Sequence, residues 1–358
     1  VFDSLFNMYK IRYVDMNKLL INNCKELKAN STFNVFINLE MIIRKMTNKN
    51  ILDYMNTSRV DKYKDVIAQV INLVAHYRRF FTSSKHKSYI YLYMGYPFIN
   101  KYDNNFYMDY RESYINRFAK ATNATYLTQT LNNSLPIVKM MSEYLDGIYF
   151  LNSNVIEPSL IPYIIHDKFK RADINLVITN DIYDFQYAKI DTFYPIRISK
   201  GYHYIVTKEN CIEKLKLEEK IYNSNINKVT VNQLPFILSV IGDNKRDIKK
   251  IPKIGLSTIL KVIQEGIEEN KINESTDNIN LLCDLLPKNI IDKVITNYLV
   301  TDLGAQYENH KNEYYNYLVH DIVDRFDNAS LMEISNKYFI DTPLMIEELN
   351  NYNNDKRW

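Results

Sequence analysis

The sequence predicts an α/β part built on a mostly parallel central sheet flanked by helices, followed by a helical part. Three observations carry that prediction. Apolar runs of strand length and composition recur at 33–39, 88–94 and 174–179. Stretches with helical periodicity separate them, which is the spacing of βαβ units in a sheet covered on both faces. From Lys208 onward the pattern is helical almost to the end.

Taken in order, residues 1–32 read as an N-terminal helical extension, with apolar periodicity from Phe2 to Leu27. The run Phe33-Asn34-Val35-Phe36-Ile37-Asn38-Leu39 is the first strand. Helical patterns over 51–54 and 60–81 lead to the second, Ser88 to Met94, which stops at Gly95. A polar stretch dense in Tyr, Asn and Arg fills 97–126. A helix over 135–145 precedes a short strand at 147–151, and a helix over 161–169 precedes the strand at 174–179. Segments 192–198 and 202–206 read as a hairpin at the sheet edge. The expected divisions are therefore 1–32, an α/β domain over 33–207, and a helical domain over 208–358.

A length of 358 residues suits about two domains. With 46% hydrophobic and 24% charged residues there is ample material for a core, which excludes a disordered or collagen-like chain. No apolar run reaches about 18 residues, so no membrane partner is expected. Val1 to Lys10 lacks the layout of a signal peptide. Cys24, Cys211 and Cys283 lie far apart without CxxC spacing. They fit a reducing, intracellular compartment better than a zinc site or a disulfide framework. No two histidines stand at i,i+4, which leaves zincin-type chemistry without support, and no Walker-type glycine loop occurs. A net charge of +3 is too small by itself to indicate a polyanion partner. Abundant Tyr (30) against scarce Gly (7) matches an AT-biased, viral type of coding sequence. Each retained glycine is then expected where the backbone needs one.

Ligands of open parallel sheets gather beyond the carboxyl ends of the strands. That edge is expected to carry Glu40, Glu157, Asp181 and Asp184. The supply is thin for a two-metal centre, where paired hard cations need several anionic oxygens. An Asp just after a strand is also a common helix N-cap, and taken singly that reading has the better odds.

The segment from Ile241 to Thr258 holds two of the seven glycines, Gly242 and Gly255, with Pro252 between them. A Pro-x-x-Gly turn ahead of Ser257 and Thr258 at a helix start has a helix–hairpin–helix layout. Its exposed backbone N–H groups and helix N-terminus suit a DNA phosphate. Lys249, Lys250, Lys253 and Lys261 add cations beside it. A solvated basic loop capping a helix fits the same residues equally well.

The order of these motifs resembles the flap endonuclease / 5′-3′ exonuclease family of structure-specific 5′ nucleases, with its PIN-like α/β domain, over residues 33–345. Val35-Phe36-Ile37-Asn38 through Arg44 is similar to the family's opening strand and Arg-bearing helix, and Tyr89 to Gly95 to its second strand. The run from Arg111 to Arg117 resembles the basic helical arch, and Val155 to Leu160 stands where VEADD is expected. Ile178 to Gln186 is similar to SxDxDxxQ, Gly242 to Gly255 to GDxxDNIxGVxGIG, and Asn297 to Leu303 to the run after the hairpin.

Where the resemblance implies acids, this chain has Asn38, Met94, Ser159, Leu160 and Tyr183, and Arg246 stands where a metal aspartate is expected. Glu157, Asp181, Asp243 and, with a one-residue insertion, Asp247 are left as residual metal ligands, with Asp184 a partial stand-in for Tyr183. Those carboxylates do not balance two divalent ions, and without bound metal no hydroxide forms near neutral pH. The arch lysine expected at the scissile phosphate falls near Ile115.

The resemblance and its losses together imply a nucleic-acid-binding protein on a 5′-nuclease fold, without catalysis and with no cofactor required. It would hold duplex or branched DNA through Lys249, Lys250, Lys253, Gly255, Ser257, Thr258, Lys261, Arg111 and Arg117. Protein partners are expected too, in a viral or phage replication, transcription or virion assembly. Two alternatives stay open. One is an active Mg²⁺-dependent 5′ nuclease on the reduced site; the other is a structural protein whose tyrosines serve protein contacts.

Overall fold

The computed structural model describes residues 20, 22, 24, 27–39, 74, 77, 81, 86–95, 147–153, 156–199, 202–218, 226–243, 248–308 and 311. Its centre is a six-stranded sheet of order β3-β2-β1-β4-β5-β6. The strands are β1 Thr32–Asn38, β2 Lys87–Gly95, β3 Ile148–Ser153, β4 Ile174–Thr179, β5 Phe193–Ser199 and β6 Tyr202–Ile205. All run parallel except β6, which pairs antiparallel with β5. The expected edge hairpin is present, and its first strand also extends the parallel sheet. Among the described helices are α1 Ile161–Phe169, α2 Cys211–Glu218, α3 Leu234–Ile241, α4 Leu256–Glu268, α5 Ile279–Cys283 and α6 Ile291–Thr301. The predicted mostly parallel α/β sheet with flanking helices is thus the observed one. Helical patterns at 2–27, 51–73 and 135–145, the arch and the tail after 311 lie outside the described residues, a few isolated positions apart.

The central strands show why the runs in the sequence are continuous. Every residue of β4 is buried, as is the interior of β1. A parallel strand covered on both faces must be apolar on both, so its sequence does not alternate. Each such buried aliphatic side chain contributes about 1.5–3 kcal/mol against exposure. The chain adds strands outward from β1 on one side and from β4 on the other. The switch point therefore lies between the carboxyl ends of β1 and β4.

One buried cluster runs from Phe36, Tyr91 and Val177 in the sheet to Ile263 and Val294 in the helices. Tyrosines supply part of it. Tyr77, Tyr93, Tyr183, Tyr187 and Tyr307 are buried as completely as the core phenylalanines. At these positions the tyrosine-rich composition serves the core rather than an interface. A buried phenol needs an acceptor, and Tyr187 donates to the Ser159 carbonyl while Tyr307 donates to the Asp167 carboxylate. Cys24, Cys211 and Cys283 are buried thiols outside any disulfide, and burial pushes the Cys283 thiol up to about 11. Among the described residues no helix is long and apolar enough to cross a membrane.

Near the amino-terminal end of the sheet, Asn34 of β1 donates to the Asn175 side chain of β4 at 2.9 Å. The Asn175 amide nitrogen donates to the Thr192 carbonyl at 3.3 Å and lies 3.0 Å from His166 Nδ1. A carbonyl only accepts, so Asn175 must present its hydrogens on that side and His166 Nδ1 must accept. A proton on Nδ1 would set N–H against N–H. Burial lowers the His166 pKa, outweighing the neighbouring Asp167 carboxylate, which raises it.

The unfolded imidazole takes its proton near its ordinary value of about 6.5, the folded one only at lower pH. The contribution to stability is therefore whole above about pH 6.5 and is lost as pH falls toward the folded value. His86, lowered chiefly by burial, acts in the same direction. The urea midpoint of the protein should drop between about pH 7.5 and about pH 5, and His166→Asn should reduce that drop. An unchanged drop in the variant would remove His166 from the account.

Candidate functional site

The switch point is built by the residues that follow β4. Asp181 caps the 3₁₀ helix Ile182–Lys189, its side chain accepting from the Tyr183 N–H at 3.1 Å. The Thr179 hydroxyl accepts from the Asp181 N–H at 2.9 Å and donates to the Asp184 carboxylate at 2.5 Å. Asp184 is fully buried. These bonds are what a polar strand end followed by Asx and Thr side chains forms on its own. Arg197 of β5, paired with Thr179 in the sheet, donates to the Asn180 carbonyl at 3.3 Å. A guanidinium thus sits at the same edge as the acids.

Tyr93, near the end of β2, reports on the charges there. Its hydroxyl is buried with no hydrogen-bond partner. Burial holds its ionisation well above the ordinary tyrosine value, and Asp184, Tyr187, Asp181 and Glu157 raise it further. Three carboxylates from two loops therefore act on the Tyr93 phenol in the same direction. Sequence reasoning missed Tyr93, because only its pairing opposite Asn38 brings it to the switch point. Glu157 sits at the N-cap of the 3₁₀ turn Pro158–Leu160 without a side-chain cap bond.

Ser159 and Tyr183, both near this edge, have structural work. Ser159 is buried beneath the Tyr187 hydroxyl. Tyr183 turns away from the sheet and donates to the Val300 carbonyl at 2.6 Å while accepting from Gln306 at 2.8 Å. Gln186 donates to the Thr301 carbonyl at 2.8 Å. The Asp184 carboxylate stands beside Thr179, and the Tyr183 hydroxyl reaches α6. Among the described residues no group of three or more His, Cys, Asp or Glu side chains is arranged to hold a metal ion. Asp181 is engaged in a cap and Asp184 in a buried bond to Thr179, while Glu157 makes no side-chain cap bond. Glu40 and Asp247 lie outside the described residues, as do Arg111, Arg117 and Arg246.

The second candidate region joins α3 to α4. Gly242 ends α3 with φ +74°, and an added Cβ there would meet the Ile248 carbonyl oxygen and the Lys250 nitrogen at 2.6 Å. Asp243 and Ile248 exchange backbone bonds at 2.9 and 3.0 Å, so Asp243 closes a loop with its backbone. Ile251-Pro252-Lys253-Ile254 is a type II turn, with Pro at its first central position and the Ile254 N–H bonded to the Ile251 carbonyl at 3.3 Å. Its second central residue is Lys253, at φ +66°. The resembled pattern has glycine there, and the left-handed backbone costs a lysine about 1–2 kcal/mol.

Gly255 then caps α4 with an ordinary φ of −101° and open space where a Cβ would go. The expectation of a backbone-required glycine is met at Gly242 and not at Gly255. Lys249, Lys250, Lys253, Ser257, Thr258 and Lys261 are all exposed, with Ser257, Thr258 and Lys261 on the face of α4 opposite buried Ile259, Leu260 and Ile263. Lys261 pairs with Glu265 at 3.6 Å across exposed side chains, which ties it weakly. Asn297 of α6 clamps the loop, donating to the Ser239 and Lys249 carbonyls at 2.7 and 3.0 Å.

No family model matches the sequence, and no curated protein matches it significantly. Solved structures do match. The bacteriophage T5 flap endonuclease, in a pseudo-enzyme–product complex with DNA and metal ions, superposes with a TM-score of 0.50 at 11% identity over 88% of this chain and 99% of its own. The T5 5′-exonuclease with divalent zinc bound also gives 0.50, at 12% identity over 81% of this chain and 99% of its own. The fold is that of the flap endonucleases. At such identity the likeness is one of fold, and it agrees with the motif order read from the sequence.

Four variants test this geometry by chemical denaturation. Gly242→Ala should cost about 2–5 kcal/mol from left-handed strain plus backbone overlap, whereas Gly255→Ala should cost about 1 kcal/mol or less. Tyr183→Phe should cost about 1–3 kcal/mol by leaving the Val300 carbonyl and Gln306 short of a partner. Tyr183→Asp, which restores the acid of the resembled motif, should cost more, because its carboxylate would face the Val300 carbonyl. A neutral Tyr183→Asp would show that the tyrosine is not bound into the helical layer.

Proposed function

We propose that this chain binds DNA through a helix–hairpin–helix formed by α3, the 242–255 loop and α4, on a 5′-nuclease fold that no longer carries out phosphodiester hydrolysis. The carrying observation is the hairpin itself. It presents Lys249, Lys250, Lys253, Ser257, Thr258 and Lys261 to solvent at a turn whose buried side is held by Ile251, Ile259 and Asn297. Exposed N–H groups in the first turn of α4, ringed by lysines, suit a phosphodiester backbone. Such contacts position DNA without reading bases. Arg111 and Arg117 of the arch would add phosphate contacts. The loss of hydrolysis is supported by what became of the acids, with Asp181 a cap, Asp184 bonded to Thr179, and Ser159 and Tyr183 given to packing. The role that follows is that of a DNA-holding subunit within a viral or phage replication, transcription or virion assembly, working with protein partners.

A second reading is favoured by one observation, the action of Asp184, Asp181 and Glu157 on Tyr93 in the same direction. In it these acids, with Asp243 and Asp247, retain a reduced Mg²⁺ site and the chain is a slow 5′ nuclease. The two readings part on a labelled 5′-flap substrate incubated with Mg²⁺ or Mn²⁺. No product is expected, and product that disappears in Asp181→Ala would establish the second reading.

DNA binding itself is tested with Lys253→Gly combined with Lys261→Glu. Glycine suits the turn better than lysine, so lost binding cannot be assigned to misfolding. Affinity should fall on every sequence alike, and the slope of log K against log salt should flatten by about 2. Unchanged affinity and slope would make the hairpin a solvated loop.

A further inference from the structure

We propose a second phosphate-backbone contact at the opposite, amino-terminal edge of the sheet, formed by Lys28, Lys87, Lys168, Lys170 and Arg171. It rests on the reading of this chain as DNA-binding and extends the path that DNA takes beyond the hairpin.

Topology assembles the patch. Lys87 opens β2 and stands in register with Thr32 at the start of β1. On the other side of Thr32 the Asp173 N–H bonds its carbonyl at 2.9 Å, so the residues leading into β4 lie there. Two strand spacings separate Lys87 from Asp173, about 10 Å. Lys168, Lys170 and Arg171 fall at the end of α1 and in the turn just before Asp173. Lys28 belongs to the turn before β1, where its N–H is held by the Ser31 hydroxyl at 2.9 Å. Lys28, Lys87, Lys170 and Arg171 are exposed.

Among the described residues Lys28, Lys87, Lys170 and Arg171 form no ion pair, and the anions beside them, Asp173 and Asp167, are each held by a hydrogen bond. The Asp173 carboxylate accepts from the Thr32 N–H at 2.8 Å, and Asp167 takes the Tyr307 hydroxyl. The carboxyl end of α1 accounts for part of the positive charge through its dipole. It does not account for Lys28 or Lys87, which belong to other elements. Aromatic rings orient the rest. Arg171 lies 4.7 Å and Lys168 5.6 Å from the centre of the Phe169 ring, and Lys87 lies 5.0 Å from that of Tyr89. A guanidinium stacked by its face keeps its N–H edge for a phosphate. Cations contributed by three elements, Lys28 before β1, Lys87 in β2, and Lys170 and Arg171 after α1, suit an extended polyanion better than a single small anion.

The test measures binding of the full chain to two labelled duplexes over a salt series. One is about 8 base pairs, roughly 30 Å and sufficient for the hairpin; the other is about 40, long enough to reach both surfaces. Lys87→Glu with Arg171→Glu changes exposed residues with ordinary backbone, and an unchanged melting temperature verifies the fold. The variant should lose about tenfold or more in affinity for the long duplex, with a salt slope shallower by about 2, and should bind the short one as before. Equal affinity and slope on the long duplex overturn the second contact while leaving the hairpin reading intact. Loss of binding in Lys253→Gly/Lys261→Glu on the short duplex alone identifies the hairpin independently. If the unaltered chain binds neither duplex, both proposals fall. Lost binding to anionic vesicles in Lys87→Glu/Arg171→Glu, with DNA binding unchanged, would assign the edge to a lipid surface and overturn the DNA contact.

Discussion

The last carbonyls of α6 are the groups on which the arrangement of sheet and helices depends. A helix leaves its final four carbonyls without intrahelical partners. Here Val300 and Thr301 are supplied from outside, by Tyr183 and Gln186 of the 3₁₀ helix that follows β4 and by Gln306. Lys189 adds a charge contact to Asp302 at 3.8 Å. One turn earlier, Asn297 reaches the other way and holds the loop of the hairpin. α6 is therefore a strut whose one end is capped by the strand edge and whose middle holds the lysine-bearing turn.

That strut explains the fate of the motif after β4. Acid, two residues, and a second polar group are positions that a metal centre and a helix cap both favour, because each asks for anionic or hydroxyl oxygens near backbone N–H groups. The Tyr183 side chain is a donor to a helix terminus. The gain is a buried, fully partnered phenol. Asp181 then caps, Thr179 bridges, and Asp184 is drawn into the core. What remains at the edge is Tyr93, whose buried hydroxyl has negative charge around it and no hydrogen-bond partner.

The two basic surfaces follow from different parts of the sequence. The 242–255 loop is local, a glycine in a left-handed, crowded position at the end of α3, a proline turn and a helix start within a short stretch. The amino-terminal edge is not local. Lys28, Lys87 and Arg171 are far apart in the chain and meet because parallel strands begin on the same side. Lys253 shows that the turn can tolerate a left-handed lysine where glycine would be cheaper, which places a cation at the tip of the hairpin.

The sequence by itself determined the elements with strong, local signals. The mostly apolar, β-branched run 174–179 read as a strand, and the spacing of strands and helices implied a parallel sheet. The Pro252 turn and the αL requirement at Gly242 were legible for the same reason, that backbone geometry limits which residues fit. Tertiary structure alone decided where the tyrosines point and what the residual acids do. A tyrosine after a strand reads equally as surface, core or substitute ligand, and only the approach of Val300 and Gln306 turns Tyr183 toward the helices. The charge around Tyr93 was equally hidden, because it arises from three carboxylates on two loops and not from any spacing along the chain.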